Sequence, residues 1–134
     1  MQFAQEILRG TPSGVGRRIV RFMLGFWEDP ESPKSLVRMV STLSSPEIAE
    51  LTKEAFVKPF FGTIATAVSP DRSELRAALA ASQMMALGFS RYVLREPTLS
   101  QAEQQELVRI VGRSLQHCLT GPLPVTKRGG SGPG

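Results

Sequence analysis

The chain has few of the residues on which catalytic and metal-binding sites usually depend. It contains one histidine, one cysteine, one tyrosine and one tryptophan in 134 residues. A single cysteine excludes an intramolecular disulfide, which fits a reducing cytosol. A single histidine leaves a general base or a metal ion without its usual partners. We therefore expect no enzyme activity, metal or cofactor, and interpret His117 as a surface or interface residue and Cys118 as a buried structural thiol.

Other signals of function and targeting are also missing. Gly10, Gly14 and Gly16 are not preceded by a strand, so they do not form a phosphate-binding loop. The N-terminus lacks the apolar core of a signal peptide. The longest apolar run, residues 77–94, is interrupted by polar residues and is too short to span a membrane. We expect a cytoplasmic protein with no membrane contact.

Hydrophobic periodicity predicts helices throughout and no strand of useful length. The first helix covers residues 15–28, and Ser32-Pro33 and Ser45-Pro46 each provide a helix start for the next two. Pro59 predicts a kink or break near residues 57–59 in the third, with two short helices as an equal alternative. The fourth runs from about residue 69 or 71 to 95. The fifth starts at Ser100 with a capping box and ends at Gly121.

The predicted fold is an all-α, five-helix orthogonal or bundled domain over residues 15–121. Residues 1–14 are expected to be a partly ordered lead-in, and residues 122–134 a disordered, Pro/Gly-rich tail. The fourth helix is apolar almost all round, and the fifth carries a second apolar strip. The last two helices are therefore predicted to pair antiparallel and to form a four-helix bundle with their copies in a homodimer. The predicted interface residues are Leu87, Gly88, Arg91, Ile110, Ser114 and His117.

Several short segments, in the order in which they follow one another, resemble the C-terminal regulatory domain of tetracycline-repressor-like (TetR-family) transcriptional regulators. They are FWEDP at residues 26–30, RYVL at 91–94, EPTL at 96–99, Gln116, and LTG at 119–121. The similarity covers roughly residues 15–121. It implies a bacterial, all-helical domain that dimerises through its last two long helices and holds a small-molecule effector among the others.

The resemblance also implies that DNA is contacted only through a helix-turn-helix unit, which this chain has no room for before Val15. We expect either a truncated regulator or a natural stand-alone domain that does not itself recognise an operator. We therefore interpret the chain as the effector-binding and dimerisation domain of a TetR-like transcriptional regulator. The alternative is a stand-alone helical dimerisation or interaction protein without a ligand, which small apolar compounds would not stabilise.

The chain is rich in phenylalanine and methionine, and most of these side chains must pack in the core. Because methionine and aromatic residues also suit adaptable pockets, the resemblance implies an apolar or weakly polar ligand held by some of them. Gln83 and Ser90 are candidates for polar contacts. The predicted ligand-binding residues are Phe26, Trp27, Phe60, Met84, Met85 and Phe89.

Charged residues are interpreted as structural. The chain has a net charge of +4, and the cluster Arg17, Arg18 and Arg21 is expected to be a solvated helix face rather than a DNA contact. Arg91 and Arg95 complement the negative end of the fourth helix, and Arg91 is expected to reach an acidic group such as Glu96.

Overall fold

Residues 2–29 and 45–124 are the parts of the chain that the computed structural model describes, and within them every regular element is helical. The predicted all-α fold is confirmed. The predicted second helix from Ser32 and most of the predicted tail lie outside the described residues. The α-helices are α1 (Gln2–Leu8), α2 (Val15–Glu28), α3 (Pro46–Thr52), α4 (Thr63–Val68), α5 (Ser73–Gly88), α6 (Pro97–Ser100) and α7 (Gln104–Thr120).

Helices α2 and α7 cross at two glycines, and this crossing organises the core. A Cβ atom on Gly16 would lie 2.2 Å from the carbonyl oxygen of Gly112, so the two backbones can touch only because no side chain stands between them. The Gln116 side chain accepts a hydrogen bond from the Gly16 amide at 2.7 Å and donates to the Pro12 carbonyl at 2.9 Å. A residue of α7 thus caps the start of α2, which has no local side-chain cap.

The buried face of α2 does not continue to Phe26 at the end of the helix. Val15, Ile19 and Met23 are buried, Phe22 is half-buried, and Phe26 is 56% exposed. Trp27 is buried instead of Phe26. The end of α2 therefore turns Phe26 away from the core.

The third predicted helix is neither broken nor split at Pro59. Residues Lys53–Gly62 form a π-helical segment that joins α3 to α4 without interruption. Proline lacks an N–H group, and the wider π-helical turn changes which carbonyls need a donor, so the chain passes through Pro59 while staying helical. This segment places Phe60 and Phe61, both fully buried, in the core.

The end of α5 is also π-helical, over Phe89–Val93, and the chain then reverses at Arg95 in the left-handed conformation (φ 57°). The fifth predicted helix does not start at Ser100. The carboxylate of Glu96 accepts hydrogen bonds from the amides of Thr98 and Leu99 and starts the short helix α6, with Pro97 at its first position. Because Ser100 ends α6, α7 begins later, at Gln104.

Arg76 is a buried charge, only 2% exposed, that ties the start of α5 to the end of α7. Its guanidinium donates to the Asp71 carboxylate at 3.0 Å and to the Cys118 carbonyl at 3.1 Å. Ser69 donates to the neighbouring Leu119 carbonyl at 2.7 Å. These carbonyls have no partner within α7, so Arg76 and Ser69 cap its C-terminus and hold α5 and α7 antiparallel.

Candidate ligand-binding site

An apolar cavity of about 300 Å³ lies between α1, α2, α5 and the helical run that starts at α3. Helix α2 contributes four of its side chains, α5 and the π-helical segment after α3 one each, and the N-terminal helix one more. Thr52 is the one polar residue in the lining. The lining residues are Phe3, Phe22, Met23, Phe26, Trp27, Thr52, Phe56 and Met85.

Aromatic contacts hold the wall of the cavity. The rings of Phe3 and Phe22 have centroids 5.2 Å apart, and Phe22 stacks on Phe60 at 5.7 Å. Phe60 stacks in turn on Phe56 at 5.4 Å. Because Phe60 is fully buried behind the lining, the ring positions of Phe22 and Phe56 are set by the core and not by solvent. Phe3 and Phe26 are more than half exposed and form the mouth.

Thr52, the polar residue among the described lining residues, adds very little polar surface to the cavity. Its hydroxyl donates to the Ile48 carbonyl at 2.9 Å within its own helical turn. The proton is therefore engaged, and the hydroxyl oxygen keeps lone pairs that can accept a hydrogen bond. A bound molecule would therefore meet apolar surface almost everywhere in the cavity.

Three of the six predicted ligand-binding residues line this cavity: Phe26, Trp27 and Met85. Phe60 and Met84 are fully buried in the core, and Phe89 lies outside the lining. Gln83 and Ser90, the predicted polar contacts, are not in the lining either. The other five lining residues were not predicted from the sequence as ligand contacts: Phe3, Phe22, Met23, Thr52 and Phe56.

Trp27 connects the cavity to the C-terminal end of α5. A Cβ atom on Gly88 would lie 2.7 Å from the Trp27 ring, so the indole packs directly on the α5 backbone. The same ring meets Tyr92 edge-on, with centroids 5.9 Å apart. The Trp27 ring therefore contacts both the cavity and the junction between α5 and its π-helical extension.

A polar network surrounds this junction, and its centre is Arg91. Its guanidinium donates to the carbonyls of Leu99 (2.5 Å) and Ala102 (2.9 Å), and pairs with Glu28 at 3.4 Å. The Tyr92 hydroxyl donates to the same Glu28 carboxylate. Arg91 reaches an acidic group as expected, but the partner is Glu28 and not Glu96, because Glu96 caps α6 while Arg91 is turned inward. Burial, and then the hydrogen bond to Glu28, raise the pKa of Tyr92 above its ordinary value.

The predicted interface residues fall into two groups. Ile110, Ser114 and His117 are exposed on α7, as an interface requires. Leu87, Gly88 and Arg91 lie on the buried face of α5 and contact the chain's own core. The exposed face of α5 is a different one, which we call the α5 stripe: Leu75, Leu79, Ser82, Ala86 and Phe89.

The remaining candidate residues have no neighbours that suggest chemistry. Cys118 is half-buried and free, and burial raises the pKa of its thiol. In residues 2–29 and 45–124, no three His, Cys, Asp or Glu side chains lie together as a metal site would need. No helix in the same residues is both long enough and apolar enough to cross a membrane.

Comparison with known proteins identifies a family for most of the chain. Residues 13–119 match the family model described as tetracyclin repressor-like, C-terminal domain. This range includes α2 to α5, α6 and nearly all of α7, but not Phe3. Searches of curated proteins and of solved structures gave no match.

Proposed function

Since the chain belongs to the tetracyclin repressor-like C-terminal domain family, we propose that it is the effector-binding and dimerisation domain of a cytoplasmic transcriptional regulator. The observation that carries the proposal is the apolar cavity between α1, α2 and α5. Operator DNA would be recognised by a helix-turn-helix unit of the regulator and not by this domain.

The lining limits the effector to a small, uncharged and largely apolar molecule. A volume of about 300 Å³ is at the lower end of the range for ligand pockets, about 300–1,000 Å³. No charged side chain lines the cavity, so an ionised group bound there would lose its hydration without gaining a partner.

A neutral fluorescent probe, N-phenyl-1-naphthylamine, tests the cavity directly, because its emission rises in apolar surroundings. Phe26→Ala removes a lining ring that is already 56% exposed, so the fold should tolerate it. A ligand that covers about 100 Å² of this ring gains about 2.5 kcal/mol from it. We therefore expect Phe26→Ala to weaken probe binding by at least about tenfold.

Leu94→Ala is the matched control, because Leu94 is 61% exposed and lies outside the lining. It should bind the probe like the wild type. Equal affinities for wild type and Phe26→Ala would refute the assignment of this cavity. A wild type that does not bind the probe at all would favour a dimerisation module without a ligand.

The α5 stripe supports the dimer. Its members recur at alternating spacings of four and three residues, from Leu75 to Leu79, Ser82, Ala86 and Phe89, which is the period of a helix–helix seam. Apolar side chains with this spacing are normally covered, and within one chain they are at least partly exposed. A second copy related by a two-fold axis would cover the stripe with its own.

Leu79→Arg tests this interface by light scattering. We expect a dimeric wild type and a monomeric, fully helical variant, because a dimer of the variant would bury two introduced arginines, one from each protomer, facing each other across the two-fold axis. Leu51→Arg is the control, since Leu51 is 62% exposed but far from the stripe along the chain. A variant that stays dimeric would exclude the stripe as the interface. Gly88→Arg is unsuitable, because the new side chain would collide with Trp27.

A further inference from the structure

Five arginines from α2 and α7 form a continuous charged surface on the side of the fold where these helices cross. They line two adjoining depressions of about 390 and 400 Å³, and Arg17 and Arg109 belong to both. Of the residues that the structure describes, no acidic one lines either depression. We call this the arginine surface; its members are Arg17, Arg18, Arg21, Arg109 and Arg113.

The glycine crossing brings these charges together. A Cβ atom on Gly112 would lie 2.6 Å from Cγ of Arg17, so the stem of this arginine lies over the gap that the glycine leaves. Arg109 and Arg113 flank Gly112 on α7 and line the same depression as Arg17. The close helix approach therefore places three guanidinium groups around one concave surface.

No carboxylate in residues 2–29 and 45–124 forms an ion pair with any of these arginines. The side chains of Arg17, Arg21, Arg109 and Arg113 make no ion pair or hydrogen bond within the described residues. Arg17 and Arg21, like Arg109 and Arg113, are also like-charged pairs four residues apart on one helix, a spacing that destabilises a helix.

Arg18 differs from the other four. It donates to the carbonyls of Ile7 at 2.6 Å and Thr11 at 2.7 Å, which fixes it in place. Burial, and then the neighbouring Arg17, lower its pKa. Arginines that repel one another, and that have no anionic partner in the described part of the chain, are suited to an external anion.

The shape and composition of the surface favour the phosphates of a nucleic acid. The planar guanidinium fork matches phosphate oxygens. The charges extend over two open depressions, as an extended polyanion would need. Neither depression has an aromatic side chain on which an unpaired base could stack, which disfavours single strands.

We propose that the arginine surface docks the phosphate backbone of duplex DNA without reading its sequence. This DNA contact goes beyond the proposed effector-binding function. It would be separate from operator recognition, which we propose for a helix-turn-helix unit of the regulator. Such a contact would hold the domain near DNA through charge alone, so its affinity should depend strongly on salt.

Fluorescence anisotropy with a labelled duplex of arbitrary sequence, over a series of salt concentrations, tests the proposal. Arg17→Gln/Arg109→Gln removes the two arginines shared by both depressions. The control Lys53→Gln/Lys58→Gln removes the same two units of charge from exposed lysines of the π-helical segment, which pair only with Glu50 and Glu54. Circular dichroism and thermal unfolding should show that both variants keep the wild-type fold.

We expect wild type to bind the duplex at low salt, and the arginine variant to bind at least about tenfold more weakly. The slope of log affinity against log salt should fall by about 1.8 for the arginine variant, since each lost phosphate contact removes about 0.9. The lysine control should keep the wild-type slope. The proposal is overturned if wild type does not bind at low salt, or if both variants lose affinity equally. Tighter binding of polyglutamate than of the duplex would overturn it too, and would assign the surface to an acidic protein.

Discussion

The glycine crossing between α2 and α7 allows one substitution to be compared at two positions of the same helix. At Gly16, a Cβ atom would lie 2.2 Å from the Gly112 carbonyl oxygen and 2.7 Å from the backbone nitrogen of Gln116. These are backbone atoms, which cannot rotate away, so Gly16→Ala must push the two helices apart. At Gly25, which also lies in α2, an added Cβ atom meets nothing within 4 Å.

The two variants should therefore change stability in opposite directions. Alanine in place of glycine favours a helix by about 1 kcal/mol, which is the full effect expected at Gly25. Overpacking costs up to about 3 kcal/mol, so Gly16→Ala should lose about 2 kcal/mol net. With an unfolding entropy of about 2.1 cal/mol/K per residue, these values shift the unfolding midpoint by about +4 °C and −7 °C.

Thermal and urea unfolding, followed by circular dichroism, measure both shifts, and the wild type serves as the common reference. An unchanged or raised stability for Gly16→Ala would refute the close crossing, because the added methyl group would then have room. A loss at Gly25→Ala would show that this part of α2 is packed against something. Retention of the urea m-value would confirm that both variants unfold from an equally compact state.

Three further measurements test the buried polar contacts. Because the pKa of Tyr92 is raised in the fold, stability should be complete below its ordinary value of 10.0 and should fall as the pH rises above it. Absorbance titration reports this tyrosine alone, since the chain has no other, and normal titration would contradict the hydrogen bond to Glu28. Arg76→Met should lose about 1–3 kcal/mol of unfolding free energy. Asp71→Asn should lose much less, because Asp71 is largely exposed. Equal losses would contradict the stabilising role of the hydrogen bond from Arg76 to the Cys118 carbonyl. Gln116→Leu should lose about 1–2 kcal/mol and speed hydrogen exchange at the capped end of α2, whereas unchanged exchange would argue against the cap.

Helix positions were largely predictable, because the signals that start and end helices are local. The bounds of α2 agree with the prediction, and the Ser45-Pro46 start is confirmed. The errors occur where two local signals compete. At Pro59 a π-helical segment replaced the expected break, and at Ser100 the preceding Glu96-Pro97 pair formed the helix start first.

The candidate site was only half predictable. Residues of α2 and α5 could be proposed because they are apolar and lie near the segments that resemble the family. Phe3 could not be proposed, because it lies in the N-terminal segment, outside the predicted domain, and reaches the cavity only through packing of α1 on the core. Phe60 was a reasonable candidate by type, but it stacks behind the lining and supports it.

Periodicity, caps and the ordered family segments were enough to determine an all-helical regulatory domain, since each depends on residues close together in the sequence. Only the tertiary structure decided which face of α5 is buried, because that helix is apolar almost all round and its own sequence does not distinguish the sides. It also decided that Arg91 pairs with Glu28, 63 residues away, and not with nearby Glu96. The arginine surface has the same origin: the arginine cluster of α2 was visible in the sequence, but Arg109 and Arg113 of α7 join it only because Gly16 and Gly112 let the two helices touch.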